Sequence, residues 1–150
     1  QAEVAALYDP PIAAGEALFS LAEAKLLDAH GGLRNDRDIL LFDPVHCYGL
    51  PGFLKIVDHF VSRGWSRQAF WPHGGHLFCQ HLVAALGLGG AEINPLAFAP
   101  FRGPAEGTRV ENGSIDLPRV PGIGFESHRE AWASFRRLRD HAGTEVALPE

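Results

Sequence analysis

The tightest constraint on this chain is a pattern that recurs through its first two thirds: a short apolar run, a chemically active side chain, then a helical stretch. Pro11-Ile12-Ala13-Ala14-Gly15 ends on Glu16, and Ser20 with Glu23 makes a capping box ahead of a helix expected from Leu21 to Ala29. Ile39-Leu40-Leu41-Phe42 stops at Asp43, and a continuous apolar run of that length reads as a strand buried on both faces of a parallel sheet. After a Gly/Pro loop, Phe53, Leu54, Ile56, Val57, Phe60 and Val61 recur at helical spacing. Ala69-Phe70-Trp71 then leads into Pro-His-Gly-Gly-His, and Leu77, Leu82, Val83 and Leu86 mark another helix, closed by Gly87. Gly89-Gly90-Ala91 before Glu92 is a brief fourth unit. Farther on, Asn112-Gly113 is a hairpin signature within residues 110–115, and Trp132, Phe135 and Leu138 predict a last helix.

Strands alternating with helices predict an α/β fold of parallel βα units with right-handed crossovers. We expect one domain over residues 1–150, with four βα units across roughly 1–100 and a hairpin plus helix across roughly 101–150. Such folds collect their chemistry at the C-terminal ends of the strands. Glu16, Asp43, His76 and Glu92 fall there, one after each successive apolar run, so neighbouring strands would bring all four to one pocket. A complete (β/α)8 barrel takes about 250 residues, so the expected architecture is half of one.

Composition narrows the field further. The chain is 46% hydrophobic and 21% charged, ordinary for one globular domain with a real core. Thirteen basic against eighteen acidic residues leave a net charge of -5, which excludes a nucleic-acid binder that tracks phosphates. Arg136, Arg137 and Arg139 read as a solvated helix face. No apolar run approaches the ~18 residues of a membrane span, so no membrane association is expected. The beginning, QAEVAALYDPP, lacks the basic and apolar regions of a secretory signal. Cys47 and Cys79 form neither a disulfide framework nor a C-x-x-C pair, and a reducing, cytoplasmic setting is expected.

His73, His76 and His81 crowd one short segment around Gly74-Gly75. Zinc is disfavoured there, because His73 and His76 straddle the glycine turn instead of sitting four apart on a helix face, and His81 lies a turn into the following helix, pointing elsewhere. His73 is open to either loop structure or pocket lining. His76 follows a strand and a Gly-Gly hinge, where an imidazole can approach a ligand and exchange protons near neutral pH. Asp43 is its natural partner, as an acid/base dyad or as a structural hydrogen bond. Glu16, after a glycine at a strand end, suits a hard oxygen-seeking cation such as Mg2+, or serves as a simple cap.

The stretches PIAAGEALFSLAEAKLL around Glu16, ILLFDPVHCYGLPGF around Asp43, WPHGGHLFCQHLVAALGLGGAE from Trp71 to Glu92 and VENGSIDLPRVPGIGFE from Val110 to Glu126 resemble, in order, the enolase superfamily. The likeness is to its mandelate racemase-like branch and most of all to acid-sugar dehydratases of the tartrate dehydratase type. It implies the C-terminal half of an enzymatic barrel, with a tail that returns to a capping domain. It implies Glu16 as one of three carboxylate ligands to Mg2+, Asp43 and His76 as the acid/base dyad, and Glu92 as the carboxylate supporting the substrate's acid group. Tyr48, His73 and Asn94 would line the pocket. The implied substrate is a small hydroxy acid or acid sugar, tartrate being typical, which loses its α-proton and then its β-hydroxyl; a racemase of the same superfamily is the alternative. The other metal carboxylates and the lysine pair of that family have no counterpart, since Lys25 and Lys55 both fall within helical patterns. A half-barrel also leaves two sheet edges open. The expected partner is therefore an N-terminal barrel half or another copy of the chain, in a homo-oligomer, unless the domain serves association alone.

Overall fold

The computed structural model describes residues 1–94, 103–105, 107–135 and 137. In chain order its elements are α1 (Ala2–Leu7), β1 (Ala13–Ala14), α2 (Leu21–His30), β2 (Ile39–Leu40), α3 (Gly49–Ser62), α4 (Leu77–Leu86) and α5 (Arg129–Phe135). Single 3-10 turns stand at Arg67–Ala69 and Phe125–Ser127.

β1 and β2 are parallel, with Ala13 opposite Ile39 and Ala14 opposite Leu40. The same sense continues outward. Leu40 makes a parallel bridge to Phe70, and Trp71 N–H donates to the Leu40 carbonyl at 2.9 Å. Gly89 N–H then donates to Phe70 O at 3.1 Å and Glu92 N–H to Pro72 O at 3.3 Å. Three extended segments thus lie side by side in chain order, with the stretch from Gly89 to Glu92 hydrogen-bonded alongside the third, and α2, α3 and α4 connect them in an α/β arrangement. The regular strands are much shorter than the apolar runs. Residues 39–42 also do not read as buried on both faces: Leu40 and Phe42 are fully buried, whereas Ile39 and Leu41 are only half-buried.

The core lies between this sheet and α3. Phe53, Ile56, Val57 and Phe60 fall three and four apart on α3 and are all buried. They meet Phe42, Phe70, Leu40 and Trp65 in one apolar cluster. Phe60 is its hub, edge-on to Trp65 at 5.5 Å and to Phe70 at 6.1 Å. Each such ring stabilises the fold by about 2–3 kcal/mol on burial.

Three features near the N-terminus were not anticipated or came out differently. α1 has six residues and no side-chain cap, too short to stand alone, and is held by packing of its buried Ala5 and of Ala2 against Gly32. Arg34 fastens the following segment by donating to the carbonyls of Tyr8, Asp9 and Pro10. α2 is capped as expected, with Ser20 Oγ accepting from Glu23 N–H at 3.2 Å, and runs one residue farther to His30.

The Asn-Gly turn is present but minimal: Glu111 and Ser114 form a single antiparallel bridge around Asn112 (φ 51°) and Gly113 (φ 73°). α5 contains Trp132 and Phe135, and Phe135 packs its ring on Phe125 at 5.3 Å. Arg137 is exposed, whereas Leu138, Arg136 and Arg139 lie outside the described residues. Among the described residues, no helix is long and apolar enough to cross a membrane.

Candidate functional site

Beyond β2 the chain passes through Leu41 and Phe42 to Asp43, which is only 4% exposed. A turn locks it: Asp43 Oδ1 accepts from Val45 N–H at 2.8 Å, and the Asp43 carbonyl accepts from Cys47 N–H at 2.9 Å. Three imidazoles surround the carboxylate. His76 Nε2 stands 3.4 Å from Oδ1, His73 Nδ1 3.4 Å from Oδ2, and His46 Nδ1 3.9 Å from Oδ2. Burial by itself would raise the Asp43 carboxyl; the hydrogen bonds from His76 and Val45, with the charges of His76 and His46, outweigh it and hold the group below its ordinary value. Among the described residues, neither lysine nor arginine pairs with this acid; its side-chain neighbours within 4 Å that carry nitrogen are these imidazoles.

The Gly-Gly hinge is dictated by space as much as by backbone angle. Gly74 (φ 95°) passes directly over the His–Asp contact, where a Cβ would come 3.0 Å from Asp43 Oδ2 and 2.9 Å from His76 Cδ2. Gly75 (φ 62°) abuts the stretch from Glu92 to Asn94, where a Cβ would lie 2.8 Å from the Glu92 carbonyl. Gly74 N–H also donates to Glu92 Oε2 at 3.3 Å, tying the loop to the next carboxylate.

The structure therefore brings Asp43, His73, His76 and Glu92 together at the C-terminal ends of neighbouring segments. It revises their order. His76 is not the strand-end group; it is the N-cap of α4, with Nε2 3.4 Å from both Asp43 Oδ1 and Cys79 Sγ and its ring stacked on Phe78. His73 takes the strand-end position, three residues past Phe70. Its Nδ1 faces Asp43, and its Nε2 lies 3.8 Å from Oε2 of the exposed Glu92.

Glu16 departs from the expected convergence. Its side chain is exposed and, among the described residues, makes no hydrogen bond or ion pair; only its backbone carbonyl meets the cluster, 3.4 Å from His46 Nδ1. Tyr48 is 80% exposed at the start of α3, in the left-handed region (φ 61°), and no hydrogen bond, ion pair or ring contact joins it to Asp43, His73 or His76. Asn94 is exposed just beyond Glu92, its backbone N against Gly75. His81 does point away from the cluster, with Nε2 3.0 Å from the Ile123 carbonyl.

Two residues escaped the sequence reading. His46, three positions after Asp43, reaches Asp43, Glu16 and the ring of His73. Cys79, three after His76, is fully buried and donates to the His73 carbonyl at 3.1 Å. The i, i+3 spacing was the available signal in both cases. Burial pushes the Cys79 thiol far up and lifts Cys47 to about 11, so both are protonated and inert as nucleophiles.

A buried carboxylate facing imidazoles fixes their tautomer and orientation and supports proton transfer. Mg2+ is a different matter, since it demands near-octahedral oxygen coordination. The donor atoms gathered here are an oxygen, a nitrogen and a sulfur from Asp43, His76 and Cys79, and Glu16 stands apart as a single exposed carboxylate. The residues of this chain do not by themselves fit that ion.

Units in chain order, with a buried Asp, a His loop and a Glu brought together from successive segments, agree with a family comparison. The model described as "Enolase C-terminal domain-like" covers residues 1–132, from α1 into α5. The chain therefore belongs to the enolase C-terminal domain-like family, of a superfamily whose members are typically Mg2+-using enzymes.

Proposed function

We propose that this chain forms the acid/base side of a dehydratase acting on small hydroxy-diacids or acid sugars, with tartrate the model substrate. In this reading it is the C-terminal half of a (β/α)8 barrel, and its tail packs on a capping domain. The observation that carries the proposal is the position of His73, with one nitrogen on buried Asp43 and the other turned toward Glu92.

A proton-transferring imidazole needs one nitrogen anchored and the other free to meet substrate. His73 meets that description. His76 is set apart by its place, as the N-cap of α4 with its Nε2 between Asp43 and Cys79, whereas His73 is the histidine that faces both Asp43 and Glu92. His73 is thus assigned as the general acid and His76 as a positioning residue that acts through Asp43. Once the α-proton has been removed from the substrate, His73 protonates the β-hydroxyl as the C–O bond breaks. The carbanionic electron pair becomes the new C=C bond, water departs, and the enol tautomerises to a 2-keto acid. Glu92 is the group that supports the substrate's carboxylate.

The α-proton base and the remaining oxygen ligands for Mg2+ must come from outside this sequence; Glu16 is offered as one ligand. The source is a preceding barrel half or a second copy of the chain. The buried free thiols of Cys47 and Cys79 suit a cytoplasmic setting.

The test is to incubate the natural protein with Mg2+ and hydroxy-diacids in D2O, following 2-keto acid and solvent exchange at the α-carbon by NMR. Keto acid formation is expected. Exchange at the α-carbon without loss of water would replace the dehydratase with a racemase, and neither process with any such acid would leave an association domain.

A further inference from the structure

A second donor set uses the Asp43 oxygen that His73 does not face, since His73 Nδ1 meets Oδ2 and His76 Nε2 meets Oδ1. Asp43 Oδ1, His76 Nε2 and Cys79 Sγ all lie within 4.8 Å of one another. The His76–Asp43 and His76–Cys79 separations are both 3.4 Å. Bonds of about 2.0–2.3 Å from tetrahedral Zn2+ to O, N and S ligands place those atoms roughly 3.3–3.7 Å apart, so the two spacings from His76 are already close to coordination edges, and the third, between Asp43 and Cys79, is within 4.8 Å. The backbone explains why: His76 caps α4, and Cys79 lies three residues on, with Cys79 N–H bonded to the His76 carbonyl at 3.0 Å, so both side chains fall on one side of the first turn. Asp43 is fixed independently by its own turn, so the three ligands are held by two separate rigid pieces of backbone.

We propose that Asp43, His76 and Cys79 bind a thiophilic divalent cation, Zn2+ being the natural choice, at a locus separate from any Mg2+ held through Glu16. The mixed O, N, S set selects a borderline-soft metal and discriminates against Mg2+. Binding displaces the Cys79 thiol proton to solvent, breaking its hydrogen bond to the His73 carbonyl and forming the metal–sulfur bond. Three protein ligands leave a fourth position for water. The consequence for activity rests on the dehydratase reading: a cation on Asp43 Oδ1 takes charge from the carboxylate that orients His73, so occupancy acts as a brake.

The experiment is titration of the reduced full-length chain with Co2+ as a spectroscopic stand-in for zinc. The expected result is a near-ultraviolet sulfur-to-cobalt charge-transfer band that saturates at one equivalent, disappears on adding Zn2+ and persists in excess Mg2+. Cys79→Ser should abolish the band and His76→Asn weaken binding at least roughly tenfold. Cys47→Ser, equally buried, should leave both unchanged and controls for damage to the core. Absence of the band in the unmodified chain, or its survival in Cys79→Ser, would overturn the site. Cobalt binding that leaves 2-keto acid formation untouched would keep the site and overturn the partnership assigned to Asp43 and His73.

Discussion

β2 has a buried aspartate on either side of it, five positions apart, and the two are treated in opposite ways. Asp38, before the strand, is 2% exposed; its Oδ1 accepts from Arg34 Nη2 at 2.8 Å and Ile12 N–H at 2.9 Å, and its Oδ2 from Arg34 Nε at 3.0 Å and Arg34 N–H at 2.7 Å. Asp43, after the strand, is 4% exposed and has one short hydrogen bond, from Val45 N–H, with imidazoles at 3.4 Å or more completing its surroundings. A guanidinium does not give up its proton, whereas an imidazole does so near neutral pH. The first aspartate is locked in one protonation state, and the second faces groups whose charge can change. This matches the division in parallel βα folds between a stabilising N-terminal face and a reactive C-terminal face.

The sharpest way to break the comparison is to remove each charge alone. Asp43→Asn keeps an acceptor for Val45 N–H, so the fold should survive while 2-keto acid formation falls by about 10^3–10^4, the scale seen when an orienting aspartate is made neutral. A rate within tenfold of the original would place the chemistry elsewhere. Asp38→Asn should do the reverse, costing about 3 kcal/mol in urea unfolding because it leaves Arg34 without its counter-charge, with the rate at saturating substrate little changed in the folded fraction. Glycines on the reactive side offer a finer probe. Gly75→Ala, where the new Cβ meets the Glu92 carbonyl at 2.8 Å, should destabilise by about 2 kcal/mol, whereas Gly87→Ala, at nearly the same φ with open space around it, should cost about 1 kcal/mol.

Acid titration probes the stabilising side without a substitution. Arg34 holds the Asp38 carboxyl at about 2 instead of 3.8, so the stability it contributes is complete above pH about 4 and is lost as pH falls toward 2. With Arg34 about a quarter exposed, that contribution is up to about 2 kcal/mol after allowance for solvent screening. Unfolding midpoints measured between pH 5 and 2 should drop less in Asp38→Asn than in the original chain; an identical drop would mean that Asp38 is not the group being titrated.

Much of this division can be read from the residues. The apolar run that stops at Asp43 marks a strand end, and the spacing of Phe53, Ile56, Val57 and Phe60 marks the buried face of α3, whereas Gly89-Gly90-Ala91 ahead of Glu92 forms no regular strand and only hydrogen-bonds alongside residues 70–72. Which histidine serves Asp43 in which way is not legible, because two consecutive positive-φ glycines redirect the backbone between His73 and His76. His46 and Cys79 each stand three positions after a site residue, but only part of their surroundings is local: His46 also meets the Glu16 carbonyl and the His73 ring, contacts that the assembled segments create. The Arg34–Asp38 clamp has the spacing of a helical pair but lies in a loop, where no helical pattern draws attention to it. α1 owes its existence to packing that a six-residue window cannot reveal.

The most direct test of the account compares His73→Asn with His76→Asn in the natural protein, following 2-keto acid formation from tartrate across pH. His73→Asn should lose at least about 10^3 in rate at every pH, as expected when the group that transfers the proton is removed. His76→Asn should retain a measurable rate with a displaced pH profile, because it acts only through Asp43. The opposite ranking, with His76→Asn inactive and His73→Asn within tenfold of the original protein, would contradict the assignment of His73 as the proton-transferring group.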